Sequence, residues 1–406
     1  MNRKSTWIAL AGCIAVVVFL VLNPLATLGT IGGALLLGVA FVYFIHFRHP
    51  SGVMSLNEVS DRRWHSVDLG KTTISGDGTR YEIYVRRGAS SNLIIHFSGG
   101  GACWDDITAS QPITLRRVLR GYTRDLRAFY FTALTKLFPT ALTGMANQRD
   151  KDNRFRDWNF VFIPYTTGDL HVGDVVNTYA GKKGPFQVHH NGRNNTTAAL
   201  AWIFANFLEP EKVMVSGESS EAWASAFYAP LVADHYTGKR VYCLSDGAGI
   251  LSPRWSDVFD RTWRADSATY LGFQIGTDVY EDALSHRIDR VGGDIRYLHS
   301  NTLYDDTLTR FSAALNNVPT DTDRFIDDWS AHTVETMKRL AGDPDLAYQH
   351  FLTDWGHNVR RHTTAHTITT NELFHKAEAD GVTYAEWLAR NVIDDEDLSL
   401  GGRLLP

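Results

Sequence analysis

Hydrophobic and polar positions divide this chain into two regions of different character. From Trp7 to Phe47 it is almost uncharged, preceded by Asn2-Arg3-Lys4 and interrupted once by Asn23-Pro24. Beyond Ser51 the pattern changes to short β-branched or apolar runs that end in Gly-, Ser- or Asp-rich turns: Asn92–Phe97, Asn159–Pro164, Lys212–Val215, Arg240–Leu244 and Asp294–His299. Between them, Thr196–Leu208 and Ala222–His235 carry apolar residues at helical spacing. Continuous apolar strands alternating with helices predict a mostly parallel sheet covered on both faces. Residues 122–155 and 253–290 read as helical or irregular insertions, candidates for a lid over the cleft. Ligands of such sheets bind beyond the carboxyl ends of the strands, where the polar motifs of this chain fall.

The apolar start has three readings. Trp7–Leu22 is short for a spanning helix, whereas Leu25–Phe47 is long enough, at about 1.5 Å per residue, for a hydrocarbon core about 30 Å thick. A transmembrane hairpin turning at Asn23-Pro24 puts Arg3 and Lys4 on the side of Arg48, Arg62 and Arg63, which the positive-inside rule makes cytoplasmic. A cleaved signal peptide would end at the weak site Leu25-Ala26-Thr27 and leave Leu35–Phe47 unplaced. A buried soluble hairpin is the third. The charge-free length favours a membrane anchor over residues 1–50, with the α/β domain following over residues 51–406.

Composition removes some functions. The 406 residues hold 40 Lys+Arg against 45 Asp+Glu, so no basic excess is present to neutralise nucleic-acid phosphates. Three cysteines cannot build a disulfide framework, and so few fit a cytoplasmic as well as a periplasmic setting. A 44 % apolar and 21 % charged composition excludes a largely disordered chain.

Candidate chemistry lies in three segments. In Val213-Met214-Val215-Ser216-Gly217-Glu218-Ser219-Ser220-Glu221 a short strand runs into a turn and then a helix, the setting that exposes a nucleophilic serine. Gly217, two before Ser219, fits the tight turn. The glycine expected two after it is Glu221, so the strict Gly-x-Ser-x-Gly pattern fails, and a serine-rich helix cap is the plain alternative. In Ile94-Ile95-His96-Phe97-Ser98-Gly99-Gly100-Gly101-Ala102-Cys103-Trp104 three glycines follow a buried strand and can turn N–H groups toward an oxyanion. Neither a dinucleotide fingerprint nor a Walker lysine is present. A serine needs an imidazole, and His357, His362 and His366 cluster near the C-terminus, in the chain order Ser, acid, His. Asp246, Asp305 and Asp306 all follow late strands, and spacing does not choose among them.

Together these segments resemble the pectin acetylesterase and Notum family of serine carboxylesterases, over about residues 66–396. The resemblance is carried by Phe97–Trp104, Asp157-Trp158-Asn159, Ile163–His171, His190-Asn191-Gly192, Ser216–Trp223 and Ala365-His366-Thr367-Ile368. It implies an α/β-hydrolase-like fold with Ser219 as nucleophile, His366 as base, and Gly101 and Ser220 as oxyanion-hole donors. Tyr304-Asp305-Asp306-Thr307-Leu308 stands where the family has its acid, which points to Asp305. The family is small at the positions of Ser220 and Glu221; here Glu221 either crowds the elbow or points aside along the helix and adds a negative charge near the oxyanion. Thr166 replaces a frequent family cysteine, so one familiar disulfide is absent.

Weaker signals complete the picture. Trp104 is a candidate to stack on a sugar or line an acyl pocket, or else a core tryptophan. His189 and His190 diverge on any regular element and make a poor metal site. Asn194-Asn195-Thr196 reads as a helix cap, and Asp394–Asp397 as a solvated acidic tail. The expectation is a membrane-anchored serine esterase with no cofactor, acting on an acylated small molecule, glycan or lipid, with O-acetyl the first acyl group. A longer-chain carboxylesterase, lipase or polyester depolymerase is the alternative within enzymes. A catalytically decayed, membrane-anchored binding protein is the alternative outside them.

Overall fold

The computed structural model describes residues 49–114, 129–133, 142–285, 294–319 and 322–405. The expected membrane hairpin lies outside the described residues, as do positions 122–128, 134–141 and 286–290 of the two expected insertions. Among the described residues no helix is long and apolar enough to cross a membrane. Contacts set Pro50–Pro406 apart from residues 1–49 as a unit of its own.

Nine strands of the described residues form one sheet. They are β1 (Ser51–Gly52), β2 (His65–Asp68), β3 (Glu82–Arg86), β4 (Leu93–Phe97), β5 (Asn159–Ile163), β6 (Val213–Glu218), β7 (Val241–Asp246), β8 (Ile295–Thr302) and β9 (Tyr348–Thr353). Their order in space is β1-β2-β3-β5-β4-β6-β7-β8-β9. Only β3 runs against the rest. The five apolar runs of the sequence are β5, β4, β6, β7 and β8, the contiguous centre of the sheet. Central parallel strands are covered on both faces and must be apolar on both, which is why these five stand out.

Alternate residues feed the two sides. Leu93, Ile95 and Phe97 of β4 join Val213 and Val215 of β6 on one face. Helices α1 (Gly192–Asn206) and α2 (Glu221–His235) cover that face through Ala199, Leu200, Ile203, Ala226 and Ala229. Ile94, Met214, Tyr242 and Leu244 point to the other side. They meet Trp387, Leu388 and Val392 of a C-terminal helix, Tyr384–Val392. The second expected insertion is indeed helical where it is described, with short helical turns at Trp255–Asp257, Val258–Thr262, Ser267–Tyr270 and Val279–Ser285.

Two minor readings are corrected. Asp394–Asp397 is no free tail. Asp394 takes both terminal nitrogens of Arg154 at 2.7 Å, Asp395 meets Lys212 at 2.6 Å, and Asp397 meets Arg296 at 3.0 Å. Cations from several elements converge on one acidic stretch and tie it to the sheet. Asn194-Asn195-Thr196 does not cap α1 either, since the cap position is Asn191. Asn195 instead faces Ile74 and clips both its N–H and its C=O, at 3.0 and 2.9 Å.

The chain reverses its direction of strand addition at β4: β5 lies on one side of it and β6 on the other. At such a switch point the loops leaving adjacent strands diverge and open a crevice. The loops that leave here are the glycine segment after β4 and the serine turn after β6.

Candidate active site

Ser219 sits in the turn between β6 and α2. Its φ of +61° is left-handed, a conformation that costs a non-glycine residue about 1–3 kcal/mol. The turn is held by Ser219 N–H donating to the Asp246 C=O (2.8 Å) and Ala222 N–H donating to the Ser219 C=O (3.0 Å). A Cβ on Gly217 would come within 1.9 Å of the Glu221 carbonyl oxygen, so the predicted need for a minimal residue there has a direct cause.

The glycine segment faces this turn. Gly101 has φ +78°, and a Cβ there would lie 1.9 Å from the Phe129 carbonyl oxygen. Gly100 N–H donates to Glu221 Oε2 at 2.9 Å and Gly101 N–H donates to Ser220 Oγ at 3.0 Å. Ser220 Oγ is also 2.8 Å from each carboxyl oxygen of Glu221. Glu221 therefore neither crowds the elbow nor points aside; it folds back onto the glycine segment and is wholly buried. Burial pushes its carboxyl well above the usual range and the nearby Asp169 adds to this, against the opposing pull of Ser220 and Gly100.

The imidazole comes from the far end of the chain. His366 Nδ1 is 2.7 Å from Asp305 Oδ2. Asp305 begins the helix α3 (Asp306–Asn316), and its Oδ1 accepts from Thr307 N–H (2.9 Å) and Leu308 N–H (2.8 Å). One carboxyl oxygen caps the helix and the other is thereby aimed at the ring. Asp306 turns to Thr307 Oγ1 and Arg310. Burial disfavours a charged His366, yet Asp305, followed by Asp246 and Asp306, outweighs it and leaves the ring's pKa raised. His366 Nε2 is buried without a hydrogen-bond partner, so the Ser219 hydroxyl is not bonded to it in this arrangement. Both residues border the Asp246–Gly247 corner: Asp246 holds the serine N–H, and a Cβ on Gly247 would lie 3.6 Å from His366 Cε1.

Two carboxylates at the ends of β6 and β7 fix the loop that carries His366. Asp246 Oδ2 accepts from Ile368 N–H (2.6 Å), Thr369 N–H (2.8 Å) and Thr369 Oγ1 (2.8 Å). Glu218 accepts from Thr370 N–H (2.8 Å) and Thr370 Oγ1 (2.5 Å). Asp246, a candidate acid by sequence, thus holds the loop and leaves the ring to Asp305. Glu218 escaped the sequence reading; its signal is a carboxylate on the last position of a strand that neighbours bury. Burial, with Asp246 beside it, pushes Glu218 up to about 7.

A carboxyl raised from 4.5 binds its proton more tightly in the folded chain, so its contribution is complete below about 4.5 and disappears as pH rises to about 7. Between about pH 5 and 7.5, denaturation should find the wild type losing roughly 2–3 kcal/mol more than Glu218→Gln. Equal losses would contradict this placement.

The other sequence candidates are placed as follows. His362 Nε2 meets Asp327 Oδ1 at 2.7 Å, and His357 and His362 both lie against the Tyr304 ring. Trp104 is only 5 % exposed and packs edge-on against Phe129 and Phe311, which makes it first a packing residue. His190 bonds the Tyr179 hydroxyl through Nε2 at 2.8 Å. Cys103 and Cys243 are buried free thiols. Among the described residues no group of three or more His, Cys, Asp or Glu could hold a metal ion.

A left-handed serine after a strand, a three-glycine segment beside it and an Asp–His pair from later in the chain now stand at the carboxyl end of the central strands. Residues 69–254 match the sequence profile of the pectinacetylesterase family. That stretch takes in the glycine segment and the serine turn. At the level of the family, the match supports hydrolysis of acyl esters. Two crystal structures of the Wnt deacylase Notum from Drosophila share the fold. One has a TM-score of 0.54 at 14 % identity, covering 82 % of this chain and 94 % of that one. The other has a TM-score of 0.55 at 14 % identity, covering 84 % and 96 %. No curated protein matches this chain in sequence. The mostly parallel α/β sheet predicted from the apolar runs is therefore the Notum-like fold.

Proposed function

We propose that this protein is a serine esterase that removes O-acyl groups, with Ser219 as nucleophile, His366 as base and Asp305 as its orienting acid. The observation that carries this reading is the Asp305–His366 pair, whose Nε2 is unbonded, at the corner that also holds the left-handed Ser219. Rotation about the Ser219 Cα–Cβ bond is the motion proposed to bring Oγ to Nε2; such contacts often tighten only when substrate binds. Asp305 holds the imidazole with its proton on Nδ1 and Nε2 free to accept. Ser219 Oγ attacks the ester carbon as Nε2 takes its proton. The carbonyl electron pair moves onto oxygen beside the Ser220 N–H. Collapse breaks the ester C–O bond, and the alkoxide leaves with the proton from His366. Water then adds by the same route and releases the acid. Every proton is handled by His366, and the cycle needs no cofactor.

The first substrate class is an acetylated glycan. A longer acyl chain is the second reading, favoured by the rings of Trp104, Phe129 and Phe311 packed edge-to-face beside Gly101. Turnover of 4-nitrophenyl acetate and octanoate by the full chain separates them. A kcat/KM at least about tenfold higher for acetate is expected, since about 1.4 kcal/mol of discrimination suffices for it. The reverse ratio would favour the long-chain reading, and turnover of neither ester would leave a non-catalytic binding protein.

Attachment to a membrane through Trp7–Phe47 completes the proposal, on the strength of that uncharged run. The full chain should stay in the membrane pellet after alkaline carbonate extraction, and release into the supernatant would refute the anchor.

A further inference from the structure

The N–H groups of Gly100 and Gly101 are already engaged by side chains of the serine turn, and the proton inventory of that contact is constrained. An N–H can only donate, so Gly101 fills one lone pair of Ser220 Oγ (3.0 Å) and Gly100 fills one on Glu221 Oε2 (2.9 Å). Ser220 Oγ lies 2.8 Å from both carboxyl oxygens, close enough for one strong hydrogen bond whose direction depends on who holds the proton. If Glu221 is neutral, Oε1–H donates to Ser220 Oγ and fills its second lone pair. The Ser220 proton is then left over, with only a long contact to the Gly101 C=O at 3.2 Å. If Glu221 is ionised, it consumes that proton and places a negative charge beside the oxyanion.

The surroundings decide between these states. Glu221 is wholly buried, no cation among the described residues pairs with its carboxyl, and Asp169 repels a charge on it. The carboxyl is therefore kept neutral. Turning Ser220 away to free Gly101 would strip Glu221 of its one side-chain partner among the described residues and leave a buried acid to backbone N–H groups alone, so the contact is built to persist.

We propose that the Ser220 hydroxyl, aimed by the Glu221 carboxyl, donates to the ester oxyanion alongside the Ser220 backbone N–H, with Gly101 acting through that hydroxyl. This deepens the esterase reading and rests on it. When the Ser219 Oγ–C bond forms and the carbonyl pair moves to oxygen, Ser220 O–H swings from the Gly101 C=O to the new O⁻. No proton is transferred to the oxyanion; the only proton moved is the one His366 takes from Ser219. Ser220 is a catalytic residue on this account and Glu221 a positioning residue.

The titratable groups that interact with Glu221 are Asp169 and Tyr165, both in the loop after β5. Asp169 is itself pushed up by burial to about 6, so a wild-type profile alone mixes two acids. Glu221→Gln isolates one of them, because a glutamine amide cannot ionise, keeps a carbonyl acceptor for Gly100 and offers an N–H to Ser220 in place of the carboxyl O–H. The sign follows from the raised carboxyl: activity is retained while Glu221 is protonated and falls as rising pH ionises it.

The test uses the full chain with 4-nitrophenyl acetate and reads kcat and KM separately across pH. Ser220→Ala should lower kcat about 10²-fold with KM changed less than about threefold, as loss of a donor used only in the transition state requires. Glu221→Gln should keep kcat within about threefold near neutral pH and lose the alkaline decline of the wild type, while Glu221→Ala falls as far as Ser220→Ala. A Ser220→Ala enzyme as fast as or faster than wild type would overturn the proposal and make Ser220 an internal competitor for Gly101. So would a Glu221→Gln enzyme as slow as Glu221→Ala, or one with an unchanged alkaline limb. In those cases the wild type still turns over and the esterase reading stands; a wild type without turnover overturns both.

Discussion

Ser219→Ala is expected to lower kcat on 4-nitrophenyl acetate by about 10⁵–10⁶-fold, to the uncatalysed background of the assay. No other described hydroxyl sits at the strand tip facing the glycine segment with a left-handed backbone. The same position offers a second readout of opposite sign. Ser219 holds φ +61°, which glycine adopts without strain, so Ser219→Gly should be inactive yet more stable by roughly 1 kcal/mol. Measured by thermal or chemical denaturation, that gain would mark a backbone strained for the sake of the side chain it presents. A Ser219→Ala protein that retains a tenth of wild-type turnover would move the nucleophile elsewhere.

The second large effect separates two adjacent aspartates. Asp305→Asn should lower kcat about 10⁴-fold, and Asp306→Asn less than about threefold. Asparagine at 305 can still accept from Thr307 and Leu308 through its carbonyl oxygen, so α3 keeps its cap. Its amide nitrogen would then face His366 Nδ1 and donate to it. The ring would be left with its proton on Nε2, the wrong side for accepting one from serine. Because the cap survives, the loss appears in kcat while the melting temperature changes little. Among the described residues Asp306 bonds Thr307 and Arg310, and its replacement should touch neither quantity. Equal losses in the two variants would deny Asp305 its orienting role.

The centre of the fold was legible because it is apolar on both faces. Asn92–Phe97, Asn159–Pro164 and Arg240–Leu244 read as strands from their apolar runs, and strands stand there at Leu93–Phe97, Asn159–Ile163 and Val241–Asp246. The outer strands did not. Tyr348–Thr353 mixes Gln349 and His350 with Phe351 and Leu352, as an edge strand packed unevenly can. β6 and β7 also run farther than their apolar parts. Ser216, Gly217 and Glu218 stay in register because Gly217 pairs with Phe97 and Glu218 with Asp246, partners far away in the chain. For the same reason the carboxylates that end these strands gave no local signal, although they fix the loop of His366.

The candidate site divides along similar lines. The glycine segment and Ser219 are contiguous motifs whose chemistry is visible in single windows. The choice among Asp246, Asp305 and Asp306 depended on which oxygen reaches a ring contributed some sixty residues later, at 2.7 Å. Glu221 is the sharpest case. Local sequence offers it the elbow or the outer face of α2, and neither is where it goes. Its partner is Gly100, which only the pairing of β4 with β6 brings near.

The most direct test is covalent. The folded full chain would be treated with a fluorophosphonate probe, digested, and the modified residue located by mass spectrometry. The account predicts one modified serine, Ser219, and at least about a 10³-fold slower reaction in His366→Ala, where the base is gone. Folded wild-type protein that takes up no probe, or takes it up at another serine with Ser219 untouched, would contradict the claim that this strand tip carries the nucleophile.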